Sequence, residues 1–184
     1  HEVTRDGNFE RKMASLCTTA LYEISPRERW TDRARQAAAV LANFSVSVGV
    51  VTASLQGVEP AAAAGTGDIR DDLPDVMEAL GHAAQEQNLG VAVMLDETQF
   101  LEPGSIEAIG ASLQRVARRQ LPVAFMATGL PHTLERLVEG KSYAERLAFS
   151  SLGRLERADA HLAVTEPARQ EGVAIEPDAA AHIL

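Results

Sequence analysis

The sequence has little of what disulfide-bonded, metal-thiolate or membrane proteins are built from. Cys17 is the only cysteine among 184 residues, which excludes an internal disulfide and a thiolate metal site. No apolar run is long enough to cross a bilayer, and the N-terminus lacks a signal-peptide pattern. The net charge of -9 argues against a broadly basic nucleic-acid-binding face. We therefore expect a cytoplasmic protein without membrane contact that reaches DNA only through segments outside this sequence.

The composition is that of a folded globular protein. Hydrophobic residues make up 46% of the chain and charged residues 23%, whereas aromatic residues contribute only 4%. The length suits one domain, or one domain and part of another, with enough chain for a buried core.

The most informative stretch is the apolar run from Val91 to Leu95, which ends in the adjacent acids Asp96 and Glu97. The run predicts a strand buried on both faces, as in a parallel sheet, with the acids at its carboxyl end. Ligands bind at that edge in open α/β sheets. Asp96 could hold Mg²⁺, directly or through its waters, and Glu97 could orient the water that attacks a γ-phosphate, as in a Walker B motif. The same two acids could equally begin a solvated loop, because the motif is short.

A second apolar run, from Leu121 to Gly129, predicts a neighbouring strand. A helix with Ser105 as its N-cap, ending near Arg119, connects the two. Strands joined by one helix form a parallel βαβ unit, so Thr128 is predicted to approach Asp96 and Glu97. Thr128 could bond the γ-phosphate or the attacking water. Alternatively, it could simply cap the turn that follows.

The remaining periodicities predict helices and one further extended segment. The helices are expected over about 8–24, 31–42 and 71–88, the last beginning near Asp71 because Pro74 is tolerated only in a first turn. Residues 44–55 alternate in polarity and predict a strand or a small hairpin centred near Gly49. Residues 57–67 show no periodicity and predict a mobile loop.

The phosphate-binding loop of a nucleotide hydrolase is missing from the sequence. Gly140, Lys141 and Ser142 look like its end, but Glu135 stands where the first glycine is required. No other Gly-x-x-x-x-Gly-Lys-Ser/Thr pattern occurs. We expect that loop upstream of His1, which would make the chain a fragment.

Three segments, taken in order, resemble bacterial AAA+ and STAND-type P-loop ATPases of the Orc/Cdc6-like kind. They are Val91 to Leu101, Leu121 to Pro131 and Lys141 to Leu147. The resemblance covers most of the chain and is weakest before residue 68.

The resemblance implies a role for each candidate site residue. Asp96 would coordinate Mg²⁺, Glu97 would be the catalytic glutamate, and Thr128 would be the sensor 1 residue. Arg146 would be an arginine finger or an interface residue, where it could neutralise charge on the transferred phosphoryl group. A surface arginine paired with Glu145 is the alternative for that position.

The resemblance also implies the architecture and the function. Residues 1–157 would form a three-layered α/β P-loop NTPase core whose parallel sheet is incomplete at the N-terminus, with residues 149–155 as its last strand. Residues 158–184 would begin an α-helical lid. The implied function is an ATP-binding, Mg²⁺-dependent hydrolytic switch. The alternatives are a non-catalytic regulatory or scaffolding module, or the ATPase part of a DNA-associated protein. A homo-oligomer or a regulatory protein partner is possible for the protein in any of these functions.

Overall fold

The computed structural model of the chain describes residues 9–50, 55–61, 63–130 and 147–183. The chain forms two compact units, His1–Leu147 and Ala148–Leu184. The elements of the first unit are α1 (Phe9–Ile24), α2 (Asp32–Ser47), α3 (Ile69–Glu86), β1 (Val91–Leu95), α4 (Pro103–Arg118) and β2 (Val123–Ala127), and those of the second are α5 (Arg157–Gln170) and α6 (Pro177–Ile183). The predicted functional division after residue 157 stays a prediction.

Helix α2 is longer than the sequence predicted. Thr31 caps it by accepting a hydrogen bond from the backbone N–H of Ala34, and the helix continues to Ser47. The strand or hairpin expected over residues 44–55 is therefore wrong for residues 44–50, and residues 51–54 of that prediction lie outside the described residues. Phe44 is fully buried in line with the earlier alanines of α2, so packing at a helical period outweighs the local alternation. Gly49, at a φ of +70°, terminates the helix in the left-handed conformation that glycine favours.

The described residues of the loop predicted over 57–67 form no helix or strand, and buried Asp72 bonds to the end of this loop; its mobility stays a prediction. The Asp72 side chain is 1% exposed and accepts hydrogen bonds from the Thr66 backbone N–H and hydroxyl and from the Gly67 N–H. Asp75 accepts another from the backbone N–H of Ala64. Because burying a carboxylate without such donors is costly, these bonds anchor the loop to α3.

Helix α3 begins two residues before the predicted start near Asp71. The side chain of Asp68 accepts a hydrogen bond from the Arg70 N–H and caps the helix, which starts at Ile69. Pro74 consequently lies in the second turn, where its missing N–H leaves one helical carbonyl without its donor. Pro74 is fully buried, so its ring contributes to the packing of the core.

The two strands pair in parallel, as the sequence predicted. Val91 lies opposite Val123, and the register continues to Leu95 opposite Ala127. Helix α4 makes the crossover and starts at Pro103, with Glu102 as the capping residue. Ser105 is therefore not the predicted N-cap but a buried residue within the first turn. Proline is well suited to the first helical position because it needs no N–H partner there.

Only one face of this sheet is covered in the part of the chain that the structure describes. Val93, Leu95 and Phe125 pack against the helical core, whereas Met94 is 59% exposed and Met126 54% exposed. The prediction of a strand buried on both faces is wrong for the described residues of the first unit, and the three-layered core stays a prediction. A run of five apolar residues presents an apolar side to each face, but it does not show whether both are covered.

The second unit contains helices but not the predicted strand. Residues 149–155 have no regular secondary structure, and Leu152 is 94% exposed. The expected last core strand is therefore wrong. The apolar residues Phe149, Leu152 and Leu155 recur every third position, which does not place them on one face of a strand. Helices α5 and α6 follow, so the helices expected in this region are confirmed over Arg157–Gln170 and Pro177–Ile183.

No helix in the described ranges has both the length and the apolar character to span a membrane.

The close contact between α3 and β2 generates a stability prediction. A Cβ on Gly81 would lie 2.9 Å from Leu121 Cβ and 3.0 Å from Val123 Cγ2. We expect Gly81→Ala to lower the free energy of unfolding by about 1–3 kcal/mol, because overpacking exceeds the gain in helix propensity. Urea unfolding followed by circular dichroism measures it. Gly104→Ala is the matched control, since nothing lies within 4 Å of that position. Equal midpoints for the two variants would contradict this account.

Candidate functional site

The two acids lie where β1 ends and the chain turns away from the sheet. Asp96 is exposed, and its Oδ1 accepts a hydrogen bond from the backbone N–H of Glu97 at 2.9 Å. Glu97 has φ 59° and ψ 39°, the left-handed conformation that non-glycine residues seldom adopt. A 3₁₀ turn, Thr98–Phe100, follows directly. Glu97 thus redirects the backbone immediately after Asp96.

Thr128 lies beside Asp96, as the βαβ argument predicted. Its backbone N–H donates to the Leu95 carbonyl at 2.8 Å, which extends the strand ladder by one bond beyond β2. Its hydroxyl donates to Asp96 Oδ1. The predicted meeting of Asp96 and Thr128 at the carboxyl edge of the sheet is therefore confirmed as geometry.

Thr98 is a member of this edge that the sequence analysis missed. It is buried, and both its backbone N–H and its hydroxyl donate to the Thr128 carbonyl, at 3.0 and 2.8 Å. These two bonds fasten the turn after β1 to the end of β2. The available signal was a threonine directly after an acid pair, a position where a hydroxyl can satisfy a backbone group.

Gln99 is the second residue that the sequence analysis missed. Its Nε2 donates to Glu97 Oε2, and its Oε1 accepts from the backbone N–H of Leu130 at 3.2 Å. The sequence shows only a polar residue two positions after the glutamate. Nothing in that pattern indicates the long-range bond to Leu130.

Arg146 and the segment with Gly140, Lys141 and Ser142 lie outside the described residues. The arginine-finger prediction and the rejection of a phosphate loop there remain sequence arguments.

The hydrogen bonds at the edge favour an ionised Asp96. The Thr128 hydroxyl, and after it the Glu97 backbone N–H, lower the pKa of the Asp96 carboxyl from its ordinary value of 3.8. Hydrogen bonds to the charged form stabilise the carboxylate relative to the acid. Asp96 therefore presents a full negative charge at neutral pH.

The donor chemistry of this edge suits Mg²⁺ only in part. A carboxylate and a hydroxyl are the hard oxygen ligands that Mg²⁺ prefers, and Mg²⁺ commonly binds through one or two carboxylates together with substrate phosphates. Within the described ranges, no group of three or more His, Cys, Asp or Glu side chains could hold a metal ion. Asp96 can thus contact a hydrated cation, but the described residues place no group of three such side chains around it.

In a second polar cluster, acids on α3 form ion pairs with arginines at the end of α4. Arg115 pairs with Asp75 and also approaches Glu78, and Arg119 pairs with Glu78 at 2.9 Å. His82 lies 3.8 Å from Glu78 at the rim of a cleft of about 140 Å³. The arginines at the end of α4 therefore join two helices, beyond the interaction with the helix dipole that the sequence suggested.

Comparison with family models, with curated proteins and with solved structures finds no match to this chain. Any functional assignment therefore depends on the geometry at the carboxyl end of the sheet. We call this region, formed by residues 96–99 and Thr128, the acid edge.

The bond between Thr128 and Asp96 yields a prediction about pH. The lowered pKa of Asp96 means that the carboxylate contributes stability above its ordinary value of 3.8, and that this contribution is lost as pH falls through the lowered pKa. We expect Thr128→Val to raise the Asp96 pKa towards 3.8, because the main donor is removed. Carboxyl-carbon NMR titration of the chain measures it. Thr128→Ser, which keeps the hydroxyl, should titrate like the unaltered chain. An Asp96 pKa that is the same in Thr128→Val as in the unaltered chain would refute the assignment.

Proposed function

We propose that this chain forms the hydrolytic edge of a Mg²⁺-dependent P-loop ATPase of the AAA+ or STAND type. The observation that supports the proposal is the parallel pairing of β1 and β2, which brings a carboxylate, a second acid and a hydroxyl to one edge of a sheet. That arrangement is what a Walker B strand beside a sensor 1 strand requires.

Each side chain has a distinct part in this proposal. Asp96, ionised and held by Thr128, would bind the water shell of the metal. Glu97 would accept a hydrogen bond from the attacking water and so orient it. Thr128 would bond the γ-phosphate or that water. The Mg²⁺ of a bound nucleotide supplies positive charge that offsets the negative charge developing on the phosphates.

The geometry of Glu97 favours a catalytic role over a purely structural one. Its Oε2 is bonded to Gln99, while its Oε1 has no hydrogen-bond partner among the described residues. The side chain is half-buried. A carboxylate that is held through one oxygen and open at the other can accept a proton or a hydrogen bond from a water molecule.

The proposal requires parts that this sequence does not contain. The phosphate-binding loop is absent from the sequence, and we propose that it lies upstream in a longer protein. The three-layered core belongs to the same proposal, and its remaining layer would cover the exposed face at Met94 and Met126. In the same longer protein, Arg146 would act as a finger or interface residue and residues 158–184 would begin the lid.

A non-catalytic regulatory or scaffolding module is the second candidate. The bonds of Thr98 to Thr128 would stabilise this edge whether or not hydrolysis takes place. The third candidate, the ATPase part of a DNA-associated protein, needs its DNA contacts elsewhere, because the net charge of this segment is -9. A homo-oligomer or a regulatory partner is compatible with each of the three.

The catalytic assignment predicts a separation of hydrolysis from binding. In the longer ATPase, Glu97→Gln should lower the hydrolysis rate by roughly 100-fold or more, in the range typical of lost general acid–base catalysis, while ATP binding persists. Phosphate release and nucleotide-binding titrations measure the two quantities. Glu102→Gln, on the exposed residue before α4, is the matched control and should retain activity. Hydrolysis unaffected by Glu97→Gln would favour the scaffolding alternative.

The missing loop predicts that this chain by itself binds ATP negligibly. The backbone N–H groups that cradle the β- and γ-phosphates are not supplied by its sequence. Fluorescence anisotropy with a labelled ATP analogue and Mg²⁺ tests it. Micromolar or tighter binding would show that the phosphates are held by some other part of the chain.

A further inference from the structure

The side-chain amide of Gln99 joins two parts of the acid edge that are distant in sequence. Its nitrogen donates to the carboxylate of Glu97, two residues before it, and its oxygen accepts the backbone N–H of Leu130, thirty-one residues after it. An amide carries its donor and its acceptor on one rigid plane. The two contacts therefore fix the Glu97 carboxylate relative to the chain that follows β2.

The hydrogen bonds of Thr98 and Thr128 hold the turn that carries Gln99 in place. The turn that carries Gln99 is fastened at Thr98, which donates twice to the Thr128 carbonyl. Thr128 is in turn bonded to Leu95 and to Asp96. Leu130, two residues further on, is exposed, and its N–H bonds to the Gln99 side chain. Gln99 thus connects Leu130 to the turn that Thr98 fixes to the end of β2.

Glu97 depends on this contact for its position. Its side chain makes no other hydrogen bond or ion pair among the described residues. Its backbone is in the left-handed conformation, which costs free energy for a residue other than glycine and persists only where its surroundings impose it. The Gln99 amide is the polar group that holds this carboxylate.

We propose that Gln99 is a positioning residue that couples the proposed catalytic carboxylate to the backbone at Leu130. The inference rests on the proposed function for its catalytic meaning. With both bonds formed, Glu97 Oε2 is held and Oε1 is left to accept a hydrogen bond from the attacking water. Displacement of the Leu130 backbone breaks its bond to Gln99 Oε1 and so removes a contact that fixes the orientation of the amide beside Glu97. The backbone at Leu130 therefore influences turnover through one side chain.

Two substitutions separate the two bonds of Gln99. Gln99→Glu keeps an oxygen that can accept the Leu130 N–H but, ionised, cannot donate to Glu97 and places a like charge beside it. Gln99→Met is similar in size and removes both bonds. Gln85→Met is the control, because Gln85 lies on α3 and its amide donates to the Gln120 carbonyl, at 3.5 Å, away from the acid edge.

Amide hydrogen exchange by NMR tests the coupling in this chain, without any ATPase activity. We expect the Leu130 N–H to exchange about two- to tenfold faster in Gln99→Met, the range that one net hydrogen bond supplies, and to change little in Gln99→Glu. The Thr128 N–H, bonded to the Leu95 carbonyl, should stay protected in both variants and so reports that the edge is folded. Equal Leu130 exchange in the unaltered chain and in Gln99→Met overturns the proposal.

Steady-state kinetics of the longer ATPase tests the catalytic part. Both Gln99 variants should lower kcat by on the order of tenfold to a hundredfold, as expected for a misplaced catalytic group, with little change in KM for ATP. Gln85→Met should leave both constants unchanged. If Glu97→Gln abolishes hydrolysis while the Gln99 variants keep full kcat, Gln99 does not position the carboxylate. If the unaltered ATPase does not hydrolyse ATP, the proposed function fails together with this catalytic role, whereas the exchange pattern still decides whether Gln99 binds Leu130.

Discussion

The parallel pairing of β1 with β2 is the constraint on which the rest of the site depends. Because a single helix, α4, connects the strands, both must run in the same direction, and their carboxyl ends meet at one edge. The residues that follow each strand, Asp96 and Thr128, then lie within hydrogen-bonding reach although they are 32 positions apart in sequence. An antiparallel pairing would have placed them at opposite ends of the sheet.

Hydrogen bonds to backbone groups just beyond β2 hold the acid edge together. Beyond the last paired residues, the Thr128 N–H, the Thr128 carbonyl and the Leu130 N–H each find an acceptor or donor at the end of β1 or in the turn after it. Two polar side chains of that turn, Thr98 and Gln99, supply partners for the Thr128 carbonyl and the Leu130 N–H. The same bonds fix the acids, so the structural requirement and the proposed chemistry share one set of contacts.

In the described part of the first unit, helices pack against one face of the sheet. Helices α3 and α4 pack against each other and against the inward side chains of both strands, and Gly81 allows α3 to approach Leu121 closely. Ion pairs from Arg115 and Arg119 to acids on α3 add to this helix interface. The opposite face of the sheet exposes Met94 and Met126, and parallel sheets are normally covered on both faces. This asymmetry agrees with the proposal that the sheet belongs to a larger core.

The sequence by itself determined the elements that depend on residues close together in the chain. The helices at α1, α3 and α4, the two short strands and the meeting of Asp96 with Thr128 follow from periodicity, from turn residues and from the rule for parallel crossovers. The tertiary structure decided the rest. Residues 44–47 alternate like a strand but complete α2, because Phe44 is buried at its helical position. Residues 149–155 contain three large apolar residues but form no strand. Burial and pairing depend on neighbours distant in sequence, as do the contacts that Gln99 makes, and no local pattern contains that information.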